Sequence, residues 1–177
     1  MADTKEVPAD SGDVPDETTG LTGKQKDAIR KSWDLVRPNH KQMQQHGVEF
    51  FIAFFIANPG YQDKFAKLKG LSIEELRTSG KMRAHATLVM TNLSAIVDNL
   101  DDGECLVTLL QKIGGDHHPR GVTPQHFENL TPVFMAFMAE KLGEHFDDFT
   151  KDSWKSAFKV VNAVITEANL ARAKEDK

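Results

Sequence analysis

From Leu21 onward, apolar positions recur at helical spacing, and no stretch between turn signals alternates steadily between apolar and polar residues. Thr22 and Gln25 stand three apart, the capping-box arrangement in which hydroxyl and amide each satisfy a backbone donor. Ile29, Trp33 and Val36 then share a face until Pro38 ends the run. A second helix, His40–Ala57, carries Val48, Phe50, Phe51, Ile52, Phe54, Phe55 and Ile56 before Asn58, Pro59 and Gly60 break it. Apolar side chains on more than one face imply burial between other helices. Ser72 and Glu75 form a second capping box, for a single turn. A long helix over 79–100 follows, and Asp101, Asp102 and Gly103 make a turn. The next run, with Leu106, Leu109, Leu110 and Ile113, is expected to end at Gly114 and Gly115. Thr123 before Pro124 opens a helix reaching Leu142. The last helix, over 150–173, has Trp154, Phe158, Val161 and Ile165 on one stripe. The pattern predicts an all-α domain of about seven helices over 21–177, with no internal repeat.

Residues 1–20 follow a different rule, with two prolines, two glycines and almost nothing able to pack. Such a segment cannot offset the entropy of ordering, so it reads as a disordered, acidic N-terminal extension. It holds Lys5 against six acids (Asp3, Glu6, Asp10, Asp13, Asp16 and Glu17), a balance of −5 within a total of −4. The remainder is therefore at +1, without the basic footprint of a duplex nucleic-acid binder. The single cysteine, Cys105, cannot form an intramolecular disulfide, which favours a reducing, cytoplasmic setting. No apolar run follows a basic start, and the most apolar stretch, 50–57, is too short to span a bilayer. There is no glycine-rich phosphate loop and no signature of a serine or cysteine nucleophile.

The candidate chemistry lies in two histidines. His117 extends the stripe that ends in Ile113 by one helical step of four. His118 stands about 100° further round the helix and faces away. His85 shares a face with Val89, Asn92 and Ile96. Each of the two, taken singly, reads first as a hydrogen-bonded core histidine.

Taken together, the order and spacing resemble the globin family over 21–173. Trp33 in the first helix resembles the family's tryptophan, and Phe65 follows the helix-ending Pro59 by six residues, where globins stack a phenylalanine on haem. His85 lies twenty residues beyond Phe65, where the distal histidine is expected, with Val89 four further on. His117, Arg120 and Val122 match the proximal region, and Phe127 follows on the next helix. The stretches 97–107 and 116–122 are similar in detail to intracellular haemoglobins of bivalve molluscs.

This resemblance implies haem b (iron protoporphyrin IX), with His117 as the proximal iron ligand and Ile113, Val122, Phe65 and Phe127 against the cofactor. His118 is the rival ligand if the alignment shifts by one. On the distal side it implies His85 donating a hydrogen bond to dioxygen, Val89 limiting access, and Phe51 directly over the ligand in place of the leucine common in globins. Phe50 is the alternative register for Phe51, and core packing the alternative role. Lys67, Arg120 and Lys112 are candidates for the propionates, with Arg120 foremost because guanidinium grips a carboxylate at two points. The implied function is reversible dioxygen transport or storage, without catalysis. The alternative is a redox or nitric-oxide-scavenging globin, with His85 as a sixth iron ligand. Pairing of two chains through the helices flanking the haem is a further implication.

Overall fold

A computed structural model describes residues 14–175 of the chain. Among the described residues there are seven α-helices and no strand. They are α1 (Gly23–Val36), α2 (His40–Ala57), α3 (Ile73–Thr78), α4 (Gly80–Asp98), α5 (Gly103–His117), α6 (Pro124–Leu142) and α7 (Asp148–Glu175). Single 3₁₀ turns occupy Tyr61–Lys64, His118–Arg120 and Gly143–His145. Both capping boxes form: Gln25 N–H donates to Thr22 Oγ1 at 3.2 Å and Glu75 N–H to Ser72 Oγ at 3.2 Å. Pro132 lies within α6 without ending it.

The helices pack in two layers. In one, α4 touches α1 and α5; in the other, α6 touches α2 and α7. Crossings of α5 on α7, α2 on α4 and α1 on α7 join the layers. The apolar stripes of α1, α2, α6 and α7 meet in an aromatic cluster. Phe134 stacks on Trp33 at 6.1 Å between ring centroids and lies 5.0 Å from Trp154, 4.8 Å from Phe158 and 5.8 Å from Phe50. Each tryptophan finds a partner for its polar edge, as burial requires. Trp33 Nε1 donates to Ser94 Oγ at 3.0 Å and Trp154 Nε1 to Ser32 Oγ at 2.9 Å.

Two features depart from the sequence expectations. First, α5 does not end at Gly114 and Gly115 but runs through them to His117. Gly114 is there for proximity: a Cβ on it would collide with the carbonyl oxygen of Ile165 and stand 2.9 Å from Ala168 Cβ. Second, the expected disordered extension falls partly outside the described residues, at 1–13. Its remainder, residues 14–20, forms a turn on α1 in which Asp16 accepts from the backbone of Thr18 (2.8 Å) and Thr19 (2.7 Å) and pairs with Lys26 at 2.9 Å. These polar contacts supply the ordering that the composition, with so little apolar surface, does not suggest.

Replacing Gly114 with alanine should therefore destabilise the fold by about 1–3 kcal/mol through overpacking. Gly115, with nothing within 4 Å of a Cβ, provides the control. Alanine there should stabilise by about 0.5–1 kcal/mol, because it lowers the entropy lost in a helix interior. Urea midpoints of the two variants, measured side by side, check both signs.

Candidate functional site

Between the layers, α2, α4, α5, α6 and α7 enclose a mainly apolar cavity of about 130 Å³. Of the residues picked from sequence, Phe51, Phe65, His85, Val89, Ile113, His117, Val122 and Phe127 all line it. His85 comes from the second turn of α4 and His117 from the last turn of α5. His118 is not in the wall.

His85 sits in an aromatic box. Its ring centroid is 4.6 Å from Phe51 and 5.0 Å from Phe65, each edge-on, while Phe51 and Phe65 are 5.8 Å apart. Phe50 also lines the cavity, but it packs toward Phe134 and Phe137, so Phe51 is the ring beside the histidine. His85 Nε2 is buried and has no hydrogen-bond partner. Burial, followed by the nearness of His117, pushes the His85 pKa down to about 4, so the ring is neutral at pH 7.

His117 is held differently. Its Nδ1 lies 2.7 Å from Ile113 O. A carbonyl only accepts, so Nδ1 carries the hydrogen and Nε2 keeps its lone pair. Burial and the Arg120 charge hold the ring below the ordinary histidine pKa, outweighing the opposing influence of the Ile113 bond and Asp116. Phe127 meets the ring edge-on at 5.2 Å. The turn beneath is stitched to α7 by Asn169, 2% exposed, whose amide donates to Gly114 O (3.2 Å) and Val122 O (3.0 Å). Sequence reading missed Asn169, although it lies one helical step beyond Ile165 on the same stripe.

The cations are arranged otherwise than expected. Lys67 is exposed and outside the wall. Arg120 is also outside it and donates to the carbonyl of Asp116, while Lys112 pairs with the Asp116 carboxylate at 2.8 Å. Lys64 does line the cavity, beside Tyr61 and His126. Tyr61 and His126 lie 4.3 Å apart, and Asn129 donates to Tyr61 Oη at 2.7 Å. Burial and the Lys64 charge lower the His126 pKa.

This donor set suits haem better than a bare ion. No group of three His, Cys, Asp or Glu side chains among the described residues could hold a metal. Two neutral imidazoles in an apolar slot are too few for a closed protein-ligated site. They are sufficient where a macrocycle supplies the other four nitrogens. The unpartnered Nε2 of His85 and the lone pair of His117 Nε2 are nitrogens of that kind.

Comparison with known proteins identifies the family. A globin from Nerita albicilla is 32% identical over 154 residues, spanning 87% of this chain and 96% of the relative. Hemoglobin-3 of Phacoides pectinatus is 31% identical over 139 residues, 78% of this chain and 88% of the relative. Among solved structures, a hexacoordinated haem protein from an anhydrobiotic tardigrade superimposes with a TM-score of 0.80 at 22% identity, covering 88% of this chain and 99% of that one. The Globin family profile matches residues 48–165, and the chain belongs to that family.

Proposed function

We propose that the protein binds haem b and takes up dioxygen reversibly, for transport or storage. The observation that carries this reading is the pair of histidines in one cavity: His117 with its Nδ1 committed to Ile113, and His85 with a buried, unpartnered Nε2. Haem would supply the iron at which the gas binds and from which it leaves.

Each neighbouring residue has a physical task. The Ile113 carbonyl selects the His117 tautomer whose Nε2 can ligate iron, and it raises the basicity of that nitrogen. Asn169 positions the His117 turn. His85, neutral at pH 7, can donate a hydrogen bond to the polar gas while excluding a charge from the pocket. Phe51 and Phe65 pack against His85 and exclude water from its edge. Val89 narrows access to the iron. Lys64 is the cation best placed to meet a carboxylate at the cavity mouth, ahead of Lys67, Lys112 and Arg120. The cytoplasmic setting, the absence of catalysis and pairing through α4 and α5 belong to the same reading.

A second reading has a specific observation in its favour. An unpartnered imidazole nitrogen held neutral is also a good iron ligand, and a hexacoordinated haem protein shares this fold. In that case His85 would itself bind the iron in the absence of gas, and a redox or nitric-oxide-scavenging role would follow.

The gas-free ferrous spectrum separates the two. A single broad visible band is expected for the open carrier; two sharp bands would assign His85 to the iron and reject the first reading. Replacing His85 with leucine should speed dioxygen release on the order of ten- to a hundredfold, from loss of one charge-assisted hydrogen bond of about 1.5–3 kcal/mol. Stopped-flow displacement of dioxygen measures that rate. His117→Ala should lose haem on gel filtration, read as the Soret-to-280 nm ratio, whereas His118→Ala should retain it. The reverse result would move the proximal ligand by one residue.

A further inference from the structure

One large apolar side chain of α2 is left uncovered. Phe50, Phe51, Phe54 and Phe55 are buried, yet Ile56 is 60% exposed. It lines an open groove of about 880 Å³ between α2 and α6, which shares no residue with the histidine cavity. That volume falls in the roughly 300–1,000 Å³ range of small-molecule sites. Ile52, Val133 and Phe137 extend the apolar lining, and Ala53 and Ala136, both exposed, leave the space above it open. The α2 wall runs from Glu49 to Asn58, about 14 Å at the helical rise.

The polar side chains in the wall are matched, with one exception. Lys141 pairs with Glu49 at 2.6 Å and with Glu140 at 3.1 Å. Asn58 donates to Phe54 O at 3.0 Å, and Asn129 donates to Tyr61 Oη at 2.7 Å while accepting from Gln125 at 2.9 Å. Arg77, in the last turn of α3, is exposed and has no side-chain hydrogen bond or ion pair among the described residues. The groove therefore offers a ligand one guanidinium and a length of hydrocarbon. An extended peptide would bring backbone donors and acceptors that this wall does not match. A monoanion with an alkyl chain brings none.

We propose that this groove binds an alkyl carboxylate of about ten carbons, the length of the α2 wall, with its head on Arg77 and its chain on Ile52, Ile56, Val133 and Phe137. Guanidinium takes a carboxylate at two points. Removal of the methylenes and of the Ile56 side chain from water holds the chain. The cluster of Glu49, Lys141 and Glu140 is net negative and repels the head, which leaves Arg77 as its seat. None of this depends on the proposed haem chemistry.

Decanoate is the probe, titrated below its micelle concentration into the full-length, haem-loaded carbonmonoxy protein. Methyl ¹H–¹³C spectra should show saturable shifts at Ile52, Ile56 and Val133, with Ile113 and Val122 of the histidine cavity unmoved. Arg77→Gln should weaken decanoate several-fold and leave 1-decanol unaffected, because decanol carries the chain without the charge. Ala53→Trp should abolish binding of both, and Ala136→Trp, from the α6 side, serves if the first variant does not fold. Absence of saturable shifts at the groove methyls, shifts centred on the histidine cavity, or shifts that survive the filled variants would overturn the site. Equal effects of Arg77→Gln on decanoate and decanol would overturn the assignment of the head group. Shifts of the same methyls on concentrating the protein alone would give the groove to a second copy, against the proposal. A missing Soret band bears on the functional reading alone, since the groove methyls report decanoate with or without haem.

Discussion

With no side chain at Gly114, the backbone of α5 comes down directly onto Ile165 and Ala168 of α7, and that contact sets where His117 stands. Helix backbones approach this closely only where one presents a bare Cα, and the gap is too narrow for a side chain to shift into. Asn169 then ties the carbonyls on either side of His117 to α7. A buried amide between two carbonyls is worth little on balance while its bonds are made, yet costly to disturb. The last turn of α5 is therefore rigid, and the histidine on it has one tautomer and one direction.

Opposite it, the constraint is desolvation. A charged imidazole among Phe51, Phe65 and the α4 backbone would lose its hydration without gaining a counter-ion, so His85 gives up its proton. The nearness of His117 also lowers the affinity of His85 for a proton, because a second cation in the cavity would cost more than the first. The cavity is thus a place for neutral nitrogen donors. Its only lysine, Lys64, stands at the mouth, where solvent can share the charge.

Much of this was legible in the chain. The helices follow from apolar spacing and from caps whose chemistry is local, and His117 follows from Ile113 because a step of four keeps a residue on its stripe. Asn169 carried the same signal one step beyond Ile165 and went unread, since polarity conceals a residue on an apolar face. Gly114 was misread as a helix end because local sequence does not reveal which helix will lie against it. Lys64 lies in a 3₁₀ turn, where residues three apart eclipse, so it joins Tyr61 on the cavity side. A search for α-helical periodicity passes over that pairing. The turn at Asp16 was obscured by composition, although an aspartate two and three residues ahead of backbone donors is itself a turn signal.

The aromatic residues leave the chain with a built-in optical division of labour. Its two tryptophans, Trp33 and Trp154, lie 5.9 Å apart in the core between α1 and α7, and its one tyrosine, Tyr61, lies at the cavity mouth against His126. Indole emission therefore reports a single locus, the seam between the two layers, with the two rings close enough to exchange excitation. Phenol absorption reports the entrance instead. Ultraviolet spectroscopy of the unaltered chain can follow the closing of the core and events at the doorway as separate signals.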